Sequence, residues 1–176
     1  MEPYREALTA GGHTNSLGRA GEVLADVQGD RARLPELFAC ISDPDAWVRM
    51  RAVDTFEKLV RSDPACAGPY VEDIVTVLTR SDQPSVQWHV AQLFDVIELT
   101  AAQRETAVAW LTARVATTDV DWIVATQAMT TLLGFARRGV VASENLRPLL
   151  EVQAGHRSAA VRRKAAAFLA ALPDGG

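Results

Sequence analysis

Thiols, imidazoles and long apolar runs are all scarce in this 176-residue chain. Its two cysteines, Cys40 and Cys66, share no CxxC motif and have no companion histidine at metal-ligand spacing. Cys40 falls in an apolar helical pattern and Cys66 in a connector beside Pro64, so both read as free thiols of structural character. A disulfide is not expected of a cytosolic chain. The histidines, His13, His89 and His156, are too scattered to form a metal site, which needs converging ligands. No stretch approaches the roughly 18 to 20 apolar residues of a membrane span, and the start MEPYREALTAGGHTN lacks a basic segment followed by an apolar run. A cytoplasmic location without membrane attachment is the expectation. Catalytic signatures are missing too: no GxSxG, HExxH, GxGxxG or GxxxxGK[ST] occurs. Carboxylate pairs such as Glu72-Asp73 and Asp119/Asp121 fall in turns or at helix starts, where capping accounts for them. Neither an enzyme nor a resident cofactor is expected.

What the chain does have is a repeat. Val48, Val86, Val124 and Val161 each open a stripe continued four residues later by Ala52, Val90, Ala128 and Ala165. Phe56, Phe94, Leu132 and Leu169 follow at the eighth position, and Leu59, Ile97, Phe135 and Leu172 at the eleventh. Apolar residues at these intervals trace one face of a 3.6-residue helix. Recurrence at this period marks stacked helix pairs, none of which buries its apolar face alone. No segment alternates with period two for long enough to compete as a strand, VVA at 140–142 being too short. The fold class is therefore all-α.

Prolines and glycines divide the chain consistently. Residues 1–15 read as a flexible segment, because Gly11, Gly12, Thr14 and Asn15 offer little to bury, with room for a short helix at 3–9. A cap spans 16–32, with an apolar face over 16–28. Repeat one (33–62) pairs helices at 33–41 and 44–61, with Asp43 as N-cap and Pro44 at the first helical position. Repeat two (68–98) pairs 69–80 with 84–98. Repeat three (100–138) pairs 100–116, opened by a Thr100/Gln103 capping box, with 121–137 before Gly139. Repeat four (143–172) pairs 143–154 with 157–172 across Gly155, and 173–176 form a tail.

Residues 43–56 read Asp-Pro-x-x-x-Val-Arg-x-x-Ala-Val-x-x-Phe, which is similar to the HEAT-repeat signature on the turn and second helix of each unit. Elsewhere the match is partial. Asp119 keeps the acidic turn position, Asp82 lies one residue closer to its valine, and His156 replaces the acid in the last repeat. Arg49 has its counterpart in Arg162, while Gln87 and Ala125 break the series. SLGRAGEVL, WVRMRA and QWHVAQ also resemble pieces of small bacterial HEAT-repeat proteins. The resemblance implies a right-handed α-α superhelix, an α-solenoid of about four HEAT-like helix pairs with an amino-terminal capping helix. It also implies a polar ladder between units, carried here by Asp43 and Arg49, and it is silent on function.

In such an array the second helices line a concave face, the default place for a partner. Arg51, His89, Gln127 and Lys164 share one register column and Arg49, Gln87 and Arg162 a second, a polar strip suited to an acidic peptide, a helix or a phosphate backbone. Trp88 lies off the core stripe, where it is a candidate interface anchor beside Arg51 and His89; Trp47 and Trp122 stand at helix starts, where indoles wedge adjacent repeats. The last helix ends in AAAFLAAL without a charged outward face, so Phe168 and Arg163 are candidates for docking on another protein or a second copy.

Charge is uneven. Residues 137–164 hold seven cations against Glu144 and Glu151, a local +5 in a chain of net −4. The expected function is a non-enzymatic protein-binding scaffold or adaptor. The +5 segment keeps a nucleic-acid binder or HEAT-like alkylpurine DNA glycosylase as an alternative, although an acidic chain is poorly suited to phosphate neutralisation. A structural subunit of a larger assembly is the third class.

Overall fold

A computed structural model describes residues 1–13 and 16–172. The described chain is helical over 76% of its length and contains no strand. It divides into two compact units, residues 1–89 with 96–98, and residues 90–95 with 99–172.

The first unit holds α1 (Tyr4–Thr9), α2 (Ala20–Gly29), α3 (Leu34–Ala39), α4 (Ala46–Ser62), α5 (Val71–Thr76) and residues 84–89 and 96 of α6 (Pro84–Val96). Its centre is α4, whose Val48, Ala52, Phe56 and Leu59 are all buried, as the stripe requires. Phe56 meets Phe38 and Tyr70 with ring centroids 5.1 and 5.7 Å away. Two expected helices are broken into shorter pieces. The segment at 33–41 runs as a 3-10 turn (Arg31–Arg33), α3 and a second 3-10 turn (Cys40–Ser42). That at 69–80 becomes a 3-10 stretch (Pro64–Tyr70), α5 and a 3-10 turn (Leu78–Arg80). Pro64 and Pro69 lack the N–H that a regular α-helix would use, which favours the tighter form here.

The start of α4 also differs from expectation. Asp45 is the N-cap, its Oδ1 accepting from the Trp47 and Val48 amides at 2.7 and 3.4 Å. Asp43 instead accepts from the Asp45 amide at 2.9 Å and organises the turn.

The amino-terminal segment is anchored where flexibility is expected. Tyr4, Ala7 and Leu8 are buried, and the Tyr4 hydroxyl donates to Asp26 at 2.7 Å. The Arg33 guanidinium lies 3.7 Å from the Tyr4 ring centroid, and Arg5 pairs with Asp43 at 2.8 Å. Thr14 and Asn15, part of the same expectation, lie outside the described residues, as does the tail 173–176.

The second unit holds residues 90–95 of α6, then α7 (Ala101–Val115), α8 (Trp122–Arg137), α9 (Ser143–Ala154) and α10 (Ala159–Ala171). Here the boundaries follow the sequence closely. Thr100 and Gln103 form the expected capping box, the Gln103 amide donating to Thr100 Oγ1 at 3.3 Å and the Thr100 amide to Gln103 Oε1 at 3.1 Å. Asp121 caps α8 by accepting from the Ile123 amide at 2.9 Å. Gly139, at φ +71°, ends that helix, and the Val140 amide closes back on the Phe135 carbonyl at 2.9 Å. Val124, Ala128, Leu132 and Phe135 are buried on α8, and Val161, Ala165 and Leu172 carry the stripe to the end, with Leu169 half-buried.

Candidate partner-binding surface

The column expected to meet a partner is turned largely inward. Arg51 is only 4% exposed. Its Nε donates to the Ser16 carbonyl at 3.0 Å, Nη1 to Leu8 at 2.6 Å and to Thr9 and Ala10 at 3.4 Å, and Nη2 to Gly11 at 3.0 Å. A fork of five N–H donors meets the carbonyls at and just beyond the end of α1, which lack helical partners, together with that of Ser16. Gly18, at φ +50°, makes room for it: an added Cβ would stand 2.9 Å from Arg51 Cζ and from the Ala10 carbonyl.

His89 is 3% exposed, so it too is withdrawn from the expected surface. Its Nε2 lies 3.9 Å from Asp54 and its Nδ1 3.8 Å from Glu57, with the Trp88 ring 4.5 Å away. Burial pushes the imidazole down to about 4 from its ordinary 6.5; Asp54 opposes the shift, while Lys58 and Arg61 add to it. Burial likewise raises the Glu57 carboxyl above its usual range against the pull of Arg61, with which it is paired. Lys58 pairs with Asp54 at 2.7 Å.

Lys164, the last of the column, is half-buried and donates to Thr130 Oγ1 at 2.9 Å on α8; burial lowers its ammonium below the usual value. Gln127, also half-buried, donates to Thr131 at 3.2 Å. The Thr131 hydroxyl in turn reaches the Ala91 carbonyl at 2.7 Å. These polar side chains therefore serve largely as internal ties.

The second column follows one rule. Arg49 Nη1 donates to the carbonyls of Asp43 and Pro44 at 2.8 and 2.9 Å, and Arg162 Nη1 to those of His156 and Arg157 at 2.8 and 2.9 Å. Gln87 reaches the Ser81 carbonyl at 2.8 Å, again six residues back. Arg49 also ties forward, its Nε donating to Gln83 Oε1 at 2.7 Å. His156 substitutes for the acid of the first turn: its Nδ1 accepts from the Ser158 amide at 2.9 Å, as Asp43 does from Asp45. That leaves the proton on Nε2, which donates to the Val120 carbonyl at 3.0 Å.

The four tryptophans differ in exposure. Trp88 is half-buried, and Trp110 packs on Phe94 at 5.9 Å beneath the Arg114 guanidinium. Trp47 and Trp122 are the exposed pair, at 38% and 52%. Each stands on the first turn of its helix beside a capping aspartate, Asp45 or Asp121, where few neighbours can cover an indole. Their outward direction is legible on a helical wheel, since they precede Val48 and Val124 by one and two residues. On α10, Arg163, Ala166, Ala167, Ala170 and Ala171 are exposed, whereas Phe168 is half-buried with Lys164 Nζ 5.7 Å from its ring centroid.

Among the described residues no three His, Cys, Asp or Glu side chains are grouped to hold a metal, and no helix is long and apolar enough to cross a membrane. Cys40 is buried, which pushes its thiol up to about 11, and the half-buried Cys66 thiol is raised for the same reason. No family model, curated protein or solved structure matches the chain at a significant level.

Proposed function

We propose that this chain is a small cytoplasmic α-solenoid of about four HEAT-like helix pairs that works as a non-enzymatic protein-binding scaffold. The repeat reading is supported by the turn bond that Arg49, Gln87 and Arg162 each make to the carbonyl six residues back. The binding reading is carried by the exposure of Trp47 and Trp122. An indole offers a large rigid contact area at low entropic cost, and tryptophan is the residue most enriched among interface anchors. Gln127 and Trp88 are half-buried and Arg162 is exposed, so each keeps surface of its own to offer.

Affinity capture from host lysate tests this. A Trp47→Ala/Trp122→Ala double variant, folded by circular dichroism, is expected to lose a specific protein partner by about 30-fold, the effect of removing roughly 2 kcal/mol of anchor energy. Equal recovery by wild type and variant overturns the assignment.

A nucleic-acid reading is favoured by the exposure of Arg137, Arg138, Arg157, Arg162 and Arg163. Its signature is DNA association that weakens steeply with salt, and co-purifying nucleic acid in place of protein establishes it. The exposed alanines of α10 support a further element, self-association through the last repeat. Light scattering is expected to show a doubled mass that Ala167→Arg abolishes; a monomeric mass at every concentration refutes it.

A further inference from the structure

The second unit carries a groove of about 590 Å³ between the amino-terminal half of α7 and the end of α8. Its apolar lining includes Val108 and Val140, Val140 being brought there by the Gly139 turn that ends α8. Arg104 and Arg138, both exposed, line it as well. We propose that this groove docks an acidic segment of a partner protein, Arg104 and Arg138 receiving carboxylates and Val108 and Val140 an apolar side chain between them. The proposal rests on the protein-binding reading and names where, and to what chemistry, it applies.

Charge argues for this occupant. Over residues 90–95 and 99–172 the unit holds nine Lys and Arg against six Asp and Glu in a chain of net −4, so a segment of negative charge is better received here than on the rest of the surface. Arg138 pairs with Asp95 at 2.9 Å, but both side chains are well exposed. Such a pair is worth at most about 1 kcal/mol, and a partner carboxylate exchanges with it readily. Arg104 gives a hydrogen bond to the Leu99 carbonyl at 3.1 Å, which steadies its stem at the rim. Guanidinium groups match carboxylates with two parallel bonds, so two of them lining one groove favour a segment that carries more than one acid.

The groove also discriminates against a phosphate backbone. Glu105 lies in it beside the arginines and opposes an unbroken run of negative charge. A peptide can set a neutral or apolar residue against Glu105. It also gains from covering Val108 and Val140, which a sugar-phosphate chain does not.

The test pans a displayed library of random short peptides against the intact protein, then measures enriched peptides by fluorescence anisotropy beside labelled random single-stranded DNA. Enriched sequences are expected to be acidic with an apolar residue between the acids. Arg104→Glu and Arg138→Glu are each expected to weaken them about tenfold. Val108→Asp should abolish binding, with Val108→Thr as the milder variant if the first unfolds. Enrichment of basic or uncharged peptides, binding indifferent to both arginine variants, or DNA that binds more tightly than the peptides overturns the proposal. If peptide binding fails while tryptophan-dependent capture from lysate persists, only the groove assignment falls. Failure of that capture with intact peptide binding strikes the tryptophan anchors alone.

Discussion

Arg51→Met is expected to destabilise the protein by about 3–5 kcal/mol, placing it among the most damaging single substitutions available outside the apolar core. Methionine keeps most of the apolar stem and removes every donor. The carbonyls of Leu8, Thr9, Ala10, Gly11 and Ser16 all lose their guanidinium partner at once. Some will find water, which is why the cost stays below the sum of five charge-assisted bonds. At six residues, α1 is far too short to persist alone and depends on what it docks against. Arg51 supplies that support in two ways: it bonds the carbonyls at the helix end, and its charge sits at the negative end of the helix dipole.

A shift of this size corresponds to a fall of about 10 °C in melting temperature for a chain of this length. The local signature is sharper. Amide exchange over residues 5–10 should accelerate towards free-chain rates, while amides of α8 and α10 keep their protection. A melting temperature within a degree or two of wild type, or undiminished protection of α1, would show that the guanidinium contributes little. The same result bears on function, because an Arg51 variant that fails to bind a partner has lost its amino-terminal cap and reports nothing about an interface.

The reason Arg51 is misread from sequence is geometric. Three residues after Val48, at 100° per residue, it lies only about 60° from the core stripe. A position so close to the stripe borders the interior whatever its polarity, and a long side chain reaches along the helix to a polar neighbour. The stripes themselves are plain in the sequence because sixteen positions repeat one spacing, and all but Leu169 are buried. The α8–α9 turn and the capping box are legible too, since Thr100, Gln103 and Gly139 act through local bonds alone. The split of the first-unit helices into 3-10 pieces is less so: Pro64 and Pro69 give a local signal between α4 and α5, but apolar periodicity does not separate a 3-10 turn from an α-helical one at 31–42. The groove at Arg104 and Arg138 is not legible at all. Its walls are more than thirty residues apart in sequence, and only the packing of α7 against α8 brings them together.

Acidification is expected to weaken the fold between pH 6.5 and pH 4, His89 alone withdrawing about 3 kcal/mol. In the unfolded chain the imidazole takes a proton near 6.5; in the folded protein burial defers this to about 4. Between those values the unfolded state binds more protons, so stability falls as pH falls, and below about 4 the His89 contribution to the slope ends. Glu57 acts in the opposite sense. Its carboxyl is raised in the folded protein, so protonation there relieves a burial cost and adds stability as pH drops. The carboxylates of Glu2, Asp26 and Asp43 are held below their ordinary range, and their loss of stability falls at lower pH. His89→Gln keeps a polar side chain beside Asp54 and Glu57 and removes the titration. Denaturant melts of the two proteins across pH 4 to 6.5 should therefore diverge, wild type declining and the variant staying flat or rising under the influence of Glu57. Parallel profiles would mean that His89 is protonated in the folded state well above pH 4, with Asp54 and Glu57 close enough to hold that charge.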